Sequence, residues 1–209
     1  MKVALPGIGE NLQDQITNEF IYTTSTNTTY VGEAPYVTYG NIIDYFHNAS
    51  SAIATSANSS IKYWATTVSQ ANNNSIPTSA LESLLRIQYD LVFNKKISTA
   101  EILTTASSQQ LLSPFWGLLP FSRGSVHISS ADPTVFPTID PKFGLLDIDV
   151  KVQIAIARLI RDFWDTEPVK ALGPIETIPG FDVVPRNATD KEWINWLSSS
   201  CEFQGYHSF

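Results

Sequence analysis

Three histidines and one cysteine are the side chains of this 209-residue sequence best suited to proton transfer, nucleophilic attack or soft-metal binding. His47 lies in an aromatic stretch and is expected at the surface or in packing. His127 sits mid-strand between Val126 and Ile128, where a hydrogen-bonded structural role is expected. His207 follows Gly205-Tyr206. Cys201 has no second cysteine to pair with, no Cys/His spacing describes a metal site, and a buried structural thiol is expected. G-x-S-x-G is absent, and the carboxylates are scattered without an acid–base pair. Trp116, between Pro114-Phe115 and Gly117-Leu118-Leu119, could be core or could wall a pocket; composition alone favours core. Residue chemistry by itself does not reveal an activity.

The whole chain sets looser bounds. Hydrophobic residues make up 43% and charged residues 16%, an ordinary globular balance with room for one sizeable core. The net charge of -7 argues against nucleic acid and anionic membranes as partners. No apolar run approaches the roughly 20 residues of a membrane span. Five sequons, at Asn27, Asn48, Asn58, Asn73 and Asn187, fit the N-glycosylation pattern and together favour passage through a secretory pathway. Met1-Lys2 opens no signal peptide, because Pro6-Gly7 follows after three apolar residues; the true N-terminus is then expected upstream.

The elements that must position these residues follow from periodicity. Residues 1–15 are a Pro/Gly-punctuated lead-in, 16–24 alternate as a strand, and 25–35 are a polar loop. Residues 36–47 are aromatic-rich without a clean period. Residues 48–60 are expected as an exposed loop or weak helix start, with helix over 61–72. Leu81, Leu84, Leu85, Gln88 and Leu91 mark a helix from Ser79 to Phe93. Residues 99–119 show no decisive pattern. Residues 122–130 alternate as a strand, and Asp/Pro-rich 131–144 are turns. The strongest helix is 147–164, with Asp147 as N-cap and a stripe of Ile148, Val152, Ala155, Leu159 and Phe163. Thr189 to Glu192 fits a capping box, which starts a helix over 190–198. Strands and helices without regular βαβ units indicate an α+β fold. Gly7-Ile8-Gly9 lacks the third glycine of G-x-G-x-x-G and no strand precedes it, so it fails as a dinucleotide loop.

Three stretches resemble the glucose-methanol-choline (GMC) oxidoreductase family, and within it the fungal glucose-oxidase-like branch. Leu5-Pro6-Gly7-Ile8-Gly9-Glu10-Asn11-Leu12-Gln13-Asp14-Gln15 is similar to the family's LPGVGENLQDH segment. Trp116 to Ile128, containing Ser122-Arg123-Gly124, with Ala131-Asp132-Pro133 and Ile139-Asp140-Pro141, is similar to P-x-SRG-x-V-x-L…DP…P-x-I-x-P. Glu176 to Gly180, then Trp193, Trp196 and Tyr206-His207, resemble the approach to the family's catalytic histidine. The three occur in family order and cover nearly the whole chain.

The resemblance implies a substrate-binding domain with an antiparallel or mixed sheet and flanking helices over residues 16–200. Residues 1–15 would lead out of an FAD-binding domain, and 201–209 would return toward it. It implies an FAD-dependent enzyme that oxidises the CH–OH group of an alcohol or sugar by hydride transfer to the flavin, with oxygen or a quinone as electron acceptor. His207 becomes the acceptor of the hydroxyl proton, Tyr206 and His207 lie by the cofactor, and Trp116 walls the substrate pocket. Arg123-Gly124 reads as structural. Glucose-specific members carry an arginine four residues before the catalytic histidine; that position here is Phe203, which suits an aryl, alkyl or polyketide-like alcohol better than glucose. The family's dinucleotide fold, its GT motif and its second active-site His or Asn do not occur in this sequence, so the 209 residues alone are expected neither to hold FAD tightly nor to catalyse. A non-redox cyclase or lyase on the same scaffold, and a non-catalytic remnant domain, are the competing readings.

Overall fold

A computed structural model describes residues 5–24, 35–107 and 110–200. Alternation of β-branched and aromatic residues sets β2 (Thr17–Thr24), which sends Phe20 and Tyr22 to the core face. β2 pairs antiparallel with β5 (Gln110–Gly117) on one side and β8 (Pro174–Ile178) on the other. β4 (Ala100–Ser107) and β3 (Tyr36–Gly40) complete a five-stranded sheet of order β3-β4-β5-β2-β8. A smaller sheet of order β1-β6-β7 joins β1 (Glu10–Leu12), β6 (Gly124–His127) and β7 (Thr138–Asp140), also antiparallel. Two glycines permit that small sheet. A Cβ on Gly124 would lie 1.9 Å from the Asp140 carbonyl oxygen, and one on Gly9, at φ +83°, would lie 2.1 Å from that of Val126.

The helices are α1 (Ile42–Phe46), α2 (Ser50–Ala71), α3 (Thr78–Tyr89), α4 (Asp147–Trp164) and α5 (Asp190–Ser199). The α+β architecture with antiparallel sheets and flanking helices is the expected one. The β2 strand and the Thr189 capping box also stand where expected: the Thr189 hydroxyl accepts from Glu192 N–H, and the Glu192 carboxylate accepts from Thr189 N–H.

Several local expectations are corrected. Of the two readings of residues 48–60, the helix start holds and the loop does not: after a short 3₁₀ turn at His47–Ala49 they form the first half of α2. Ala57, Ile61, Trp64, Ala65 and Val68 recur at helical spacing and bury against α3, while Thr55, Ser60, Thr66 and Thr67 return their hydroxyls to the carbonyl one turn back. Tertiary burial here outweighs the weak helix propensity of Ser, Thr and Asn. The undecided 99–119 stretch is the β4–β5 pair, whose inward residues Ile102, Leu111, Ser113 and Phe115 are separated by residues only partly covered. The 36–47 stretch splits into β3 and α1. The helix from 78 stops as regular α-helix at Tyr89 and continues as a π-turn over Asp90–Asn94. The cap of α4 is Leu146, and Asp147 is its first helical residue. Of the expected stripe, Ile148 and Ala155 are buried, Val152 and Leu159 are partly buried against the core, and Phe163 lies exposed; the buried face is wider and also takes in Asp149, Gln153, Ile156, Ile160 and Trp164.

The core is one continuous cluster of buried side chains. Phe20, Tyr22 and Phe115 of the sheet meet Trp164 of α4 and Trp193 and Trp196 of α5; Phe20 lies 5.3 Å from Trp196 and Tyr22 lies 4.8 Å from Trp164, centroid to centroid. Trp64 of α2 meets Phe121 at 5.3 Å, beside Phe93.

Candidate functional site

The segment after β5 runs from Leu118 to Arg123 and owes its shape to buried side chains from helices. Asp149, on the first turn of α4, accepts from the backbone N–H of Phe121 at 2.6 Å and of Ser122 at 2.8 Å. The Ser122 hydroxyl accepts in return from Leu146 N–H at 3.0 Å, at the residue that immediately precedes α4. Burial pushes the Asp149 carboxyl above the usual carboxylate range, against the opposing pull of the Ser122 and Phe121 hydrogen bonds and the Arg123 charge. Arg123 is itself buried; its guanidinium donates to the Pro120 and Ser122 carbonyls and to Gln88 Oε1. Burial lowers its pKa to about 10, with Asp149 acting the other way, so it stays cationic at neutral pH. Asn72, at the end of α2, donates to the Arg123 carbonyl at 3.1 Å. Arg123 is thus structural, as expected for the Ser122-Arg123-Gly124 motif.

One turn further along α4, Gln153 reaches the end of β5. Its Oε1 accepts from Gly117 N–H at 3.0 Å, and its Nε2 donates to Asn18 Oδ1 at 2.9 Å and the Ile16 carbonyl at 3.2 Å. Asn18, on β2, uses Nδ2 to donate to the Leu197 carbonyl at 3.1 Å and Ser200 Oγ at 3.0 Å, at the end of α5. Ile16, Phe143, Val150, Gln153, Leu197 and Ser198 line a cleft of about 380 Å³ beside this network. Its walls are mostly apolar, with the Gln153 amide and the Ser198 hydroxyl as the polar exceptions.

Trp116 is 7% exposed and projects from β5 on the face opposite Phe115, between Thr17 of β2 and Glu101 of β4. It stands next to Gly117 and so at the edge of the Gln153 network. Phe203, Tyr206, His207, Cys201 and Asn27 lie outside the described residues. Asn48, Asn58, Asn73 and Asn187 are exposed. His127 is hydrogen-bonded, as expected, with Nε2 2.9 Å from Glu10 Oε1, but its side chain is half exposed. His47 is exposed. Sequence reasoning missed Asn18, Asp149 and Gln153. The signal was present in α4, where a carboxylate and an amide fall in register with Ile156, Ile160 and Trp164.

Every strand pair among the described residues is antiparallel, and Gly9 leads into strand β1 rather than a helix. The described residues therefore offer no helix N-terminus behind a glycine loop to cradle a pyrophosphate, and FAD does not fit on them alone. No group of three or more His, Cys, Asp or Glu able to hold a metal occurs among them. None of the described helices is long and apolar enough to cross a membrane.

This antiparallel α+β unit with flanking helices, braced at the Ser122-Arg123-Gly124 turn, matches the fold of the GMC oxidoreductase C-terminal substrate-binding domain. The chain resembles the GMC oxidoreductases: its residues 120–209 match the family model described as GMC oxidoreductase. It is 32% identical over 92% of its length to the glucose oxidase-like protein fsoC of Humicola fuscoatra, and covers 32% of that protein. The fold is shared with an FAD-dependent oxidoreductase from Chaetomium thermophilum, with a TM-score of 0.78, 19% identity, and coverage of 97% of this chain and 38% of that one. A fungal aryl-alcohol oxidase gives a TM-score of 0.74 at 22% identity, covering 93% of this chain and 37% of that one. The chain thus spans about a third of the length of these relatives.

Proposed function

We propose that this chain is the substrate-side part of an FAD-dependent oxidoreductase that oxidises the CH–OH group of an alcohol or sugar. The observation that carries the reading is the family match over residues 120–209, which begins at the Pro120 to Arg123 turn that Asp149 and Arg123 hold in place. Residues 16–200 are the substrate-binding part, with 1–15 leading from and 201–209 returning toward the portion that holds the dinucleotide. FAD supplies the two-electron acceptor when bound, and oxygen or a quinone reoxidises it. Within this chain His207 takes the hydroxyl proton, Tyr206 stands beside it at the cofactor, and Trp116 and Phe203 wall the substrate. The apolar cleft next to Leu197 and Ser198, together with Phe203 in place of an arginine, favours an aryl or alkyl alcohol over glucose. The protein is secreted and N-glycosylated.

The test is made on the flavoprotein purified from its native source with an antibody to this chain. Bound flavin is released and measured, and anaerobic bleaching is followed with a panel of aryl, alkyl and sugar alcohols. Stoichiometric flavin bleached fastest by an aryl or alkyl alcohol is expected, and in the same flavoprotein expressed recombinantly His207→Gln should lower the rate by roughly 10²–10⁴-fold. Flavin that no alcohol bleaches, or a protein without flavin, overturns the reading. Fastest bleaching by glucose overturns the substrate assignment alone.

A further inference from the structure

Among the described residues, Asn18 and Gln153 form a fully hydrogen-bonded buried polar network that the family pattern does not explain. Both residues are 2% exposed. All four of their amide hydrogens and both of their amide oxygens are engaged, each with a different backbone or side-chain partner. Neither amide can be reversed. Turning Gln153 would set its NH₂ against the N–H of Gly117, and turning Asn18 would set its NH₂ against that of Gln153. The pair is therefore locked in one sense, and each partner fixes the other.

What the pair connects gives it meaning. At one end is Gly117, the residue after Trp116. Its N–H is held 3.0 Å from Gln153 Oε1, and a Cβ there would come within 3.1 Å of the same atom. At the other end is the Leu197 carbonyl, one of the last carbonyls of α5, which a helix leaves without an internal partner. Asn18 caps that end from a different element, and also holds the Ser200 hydroxyl, which donates back to the Trp196 carbonyl. The chain that continues from Ser200 carries His207. β2, α4, β5 and α5 are thus set against one another by two amides, beside the cleft lined by Ile16, Gln153 and Leu197.

We propose that Asn18 and Gln153 are positioning residues for the reaction: they register the C-terminal end of α5, from which the chain departs toward His207, against the Trp116–Gly117 end of β5. The inference rests on the proposed oxidoreductase function. Neither residue touches a reacting atom. Each fixes where the proton-accepting segment leaves the fold relative to the substrate wall, and a misplacement of about 1 Å in such geometry lowers rates by about 10²-fold.

The test uses the purified flavoprotein with Asn18→Ala, Gln153→Met and a control, Ser69→Ala, which removes the buried Ser69 hydroxyl's bond to the Ile76 carbonyl in the distant α2–α3 turn. Hydrogen–deuterium exchange of the peptide spanning the end of α5 is measured alongside the rate of flavin bleaching at saturating alcohol, both corrected to the folded fraction. Asn18→Ala and Gln153→Met are expected to speed exchange at residues 197–200 by roughly 10-fold or more and to slow bleaching by roughly 10- to 100-fold with flavin content unchanged, while Ser69→Ala moves neither. Exchange and bleaching in both variants no different from Ser69→Ala overturn the inference. Faster exchange without slower bleaching also overturns it, since the pair is then only a structural brace. A wild-type protein whose flavin no alcohol bleaches identifies failure of the underlying function instead, and overturns the catalytic role of the pair with it.

Discussion

Asp149 and Ser122 hold each other's elements: Asp149 Oδ2 accepts from Ser122 N–H at 2.8 Å, and the Ser122 hydroxyl accepts from the Leu146 N–H that opens Asp149's own helix. The second carboxylate oxygen takes Phe121 N–H at 2.6 Å. Asp149→Leu would leave two buried backbone donors without partners at about 1–3 kcal/mol each, offset in part by removal of a buried charge. A loss of roughly 2–5 kcal/mol is expected in urea unfolding. Asp149→Asn, which can still accept one of the two bonds, should lose less. Equal losses in the two variants would mean that the double acceptance does not stabilise the turn.

Much of the architecture was legible in the sequence because its signals are local. β2 alternates, α4 has helical periodicity over its full length, and the capping box at Thr189 names the start of α5 to the residue. What was illegible depends on partners distant in sequence. α2 reads only as a loop or weak helix start through Ser50 to Ser60 because its apolar face is carried by alanines and by Ile61, Trp64 and Val68, whose partners are distant in sequence, as Phe121 is for Trp64. The polar part of α4's buried face was missed because Asp149 and Gln153 look like solvent residues until Phe121, Ser122 and Gly117 arrive to use them. The motif residues Ser122-Arg123-Gly124 were legible as a resemblance, and their physical reason, a backbone approach that excludes a Cβ at Gly124, appears only in the small sheet.

The Arg161–Glu176 pair joins α4 to β8 and is nearly dry, with side chains 11% and 1% exposed. It is bidentate at 2.6 and 2.9 Å. The guanidinium also donates to the Val184 and Pro185 carbonyls and lies 4.5 Å from the Trp193 ring centroid. Arg161→Met should cost about 3–5 kcal/mol, because it strands the Glu176 carboxylate in the core. The double variant Arg161→Met/Glu176→Met should cost clearly less than the sum of the two single changes. Additive losses in thermal or urea unfolding would show that the two side chains are not coupled.

Alkaline pH should expose the buried phenols. Tyr45, 2.5 Å from Thr99 Oγ1, is raised from 10.0 to about 12, chiefly by burial. Burial also raises Tyr22, reinforced by the neighbouring Glu176 carboxylate. A raised phenol binds its proton more tightly in the folded chain. Its contribution is therefore complete below the unfolded value near pH 10 and falls as pH rises through the folded value. For Tyr45 the fall between pH 10 and 12 amounts to roughly 2–3 kcal/mol. Tyr45→Phe should flatten that part of the stability profile while losing about 1 kcal/mol at neutral pH for the missing hydrogen bond. A variant whose stability falls as steeply as the wild type between pH 10 and 12 would place the alkaline transition elsewhere.

The sequons make a prediction that geometry sharpens. Asn48 lies in the 3₁₀ turn before α2, Asn58 on the outer face of α2, and Asn73 just past its end at φ +53°, and all three are exposed. α2 spans 22 residues and carries a single charged side chain, Lys62. A solvent-facing helix of Ser, Thr, Ala and Asn with so little charge is a poor surface for solubility unless something else hydrates it, and glycans before it, on it and after it would do so. Asn187 is also exposed, and the hydroxyl of its sequon, on Thr189, accepts from Glu192 N–H at 3.4 Å in the capping box of α5. The protein secreted from a eukaryotic host, treated with an N-glycosidase and mapped by mass spectrometry, should show asparagine converted to aspartate at 48, 58 and 73. The triple Asn→Gln variant should be secreted in lower yield and aggregate more readily, with its folded-state unfolding midpoint little changed. Unmodified asparagine at all three positions would remove the support that the sequons give to secretion and leave the polar face of α2 to be explained by contact with another surface.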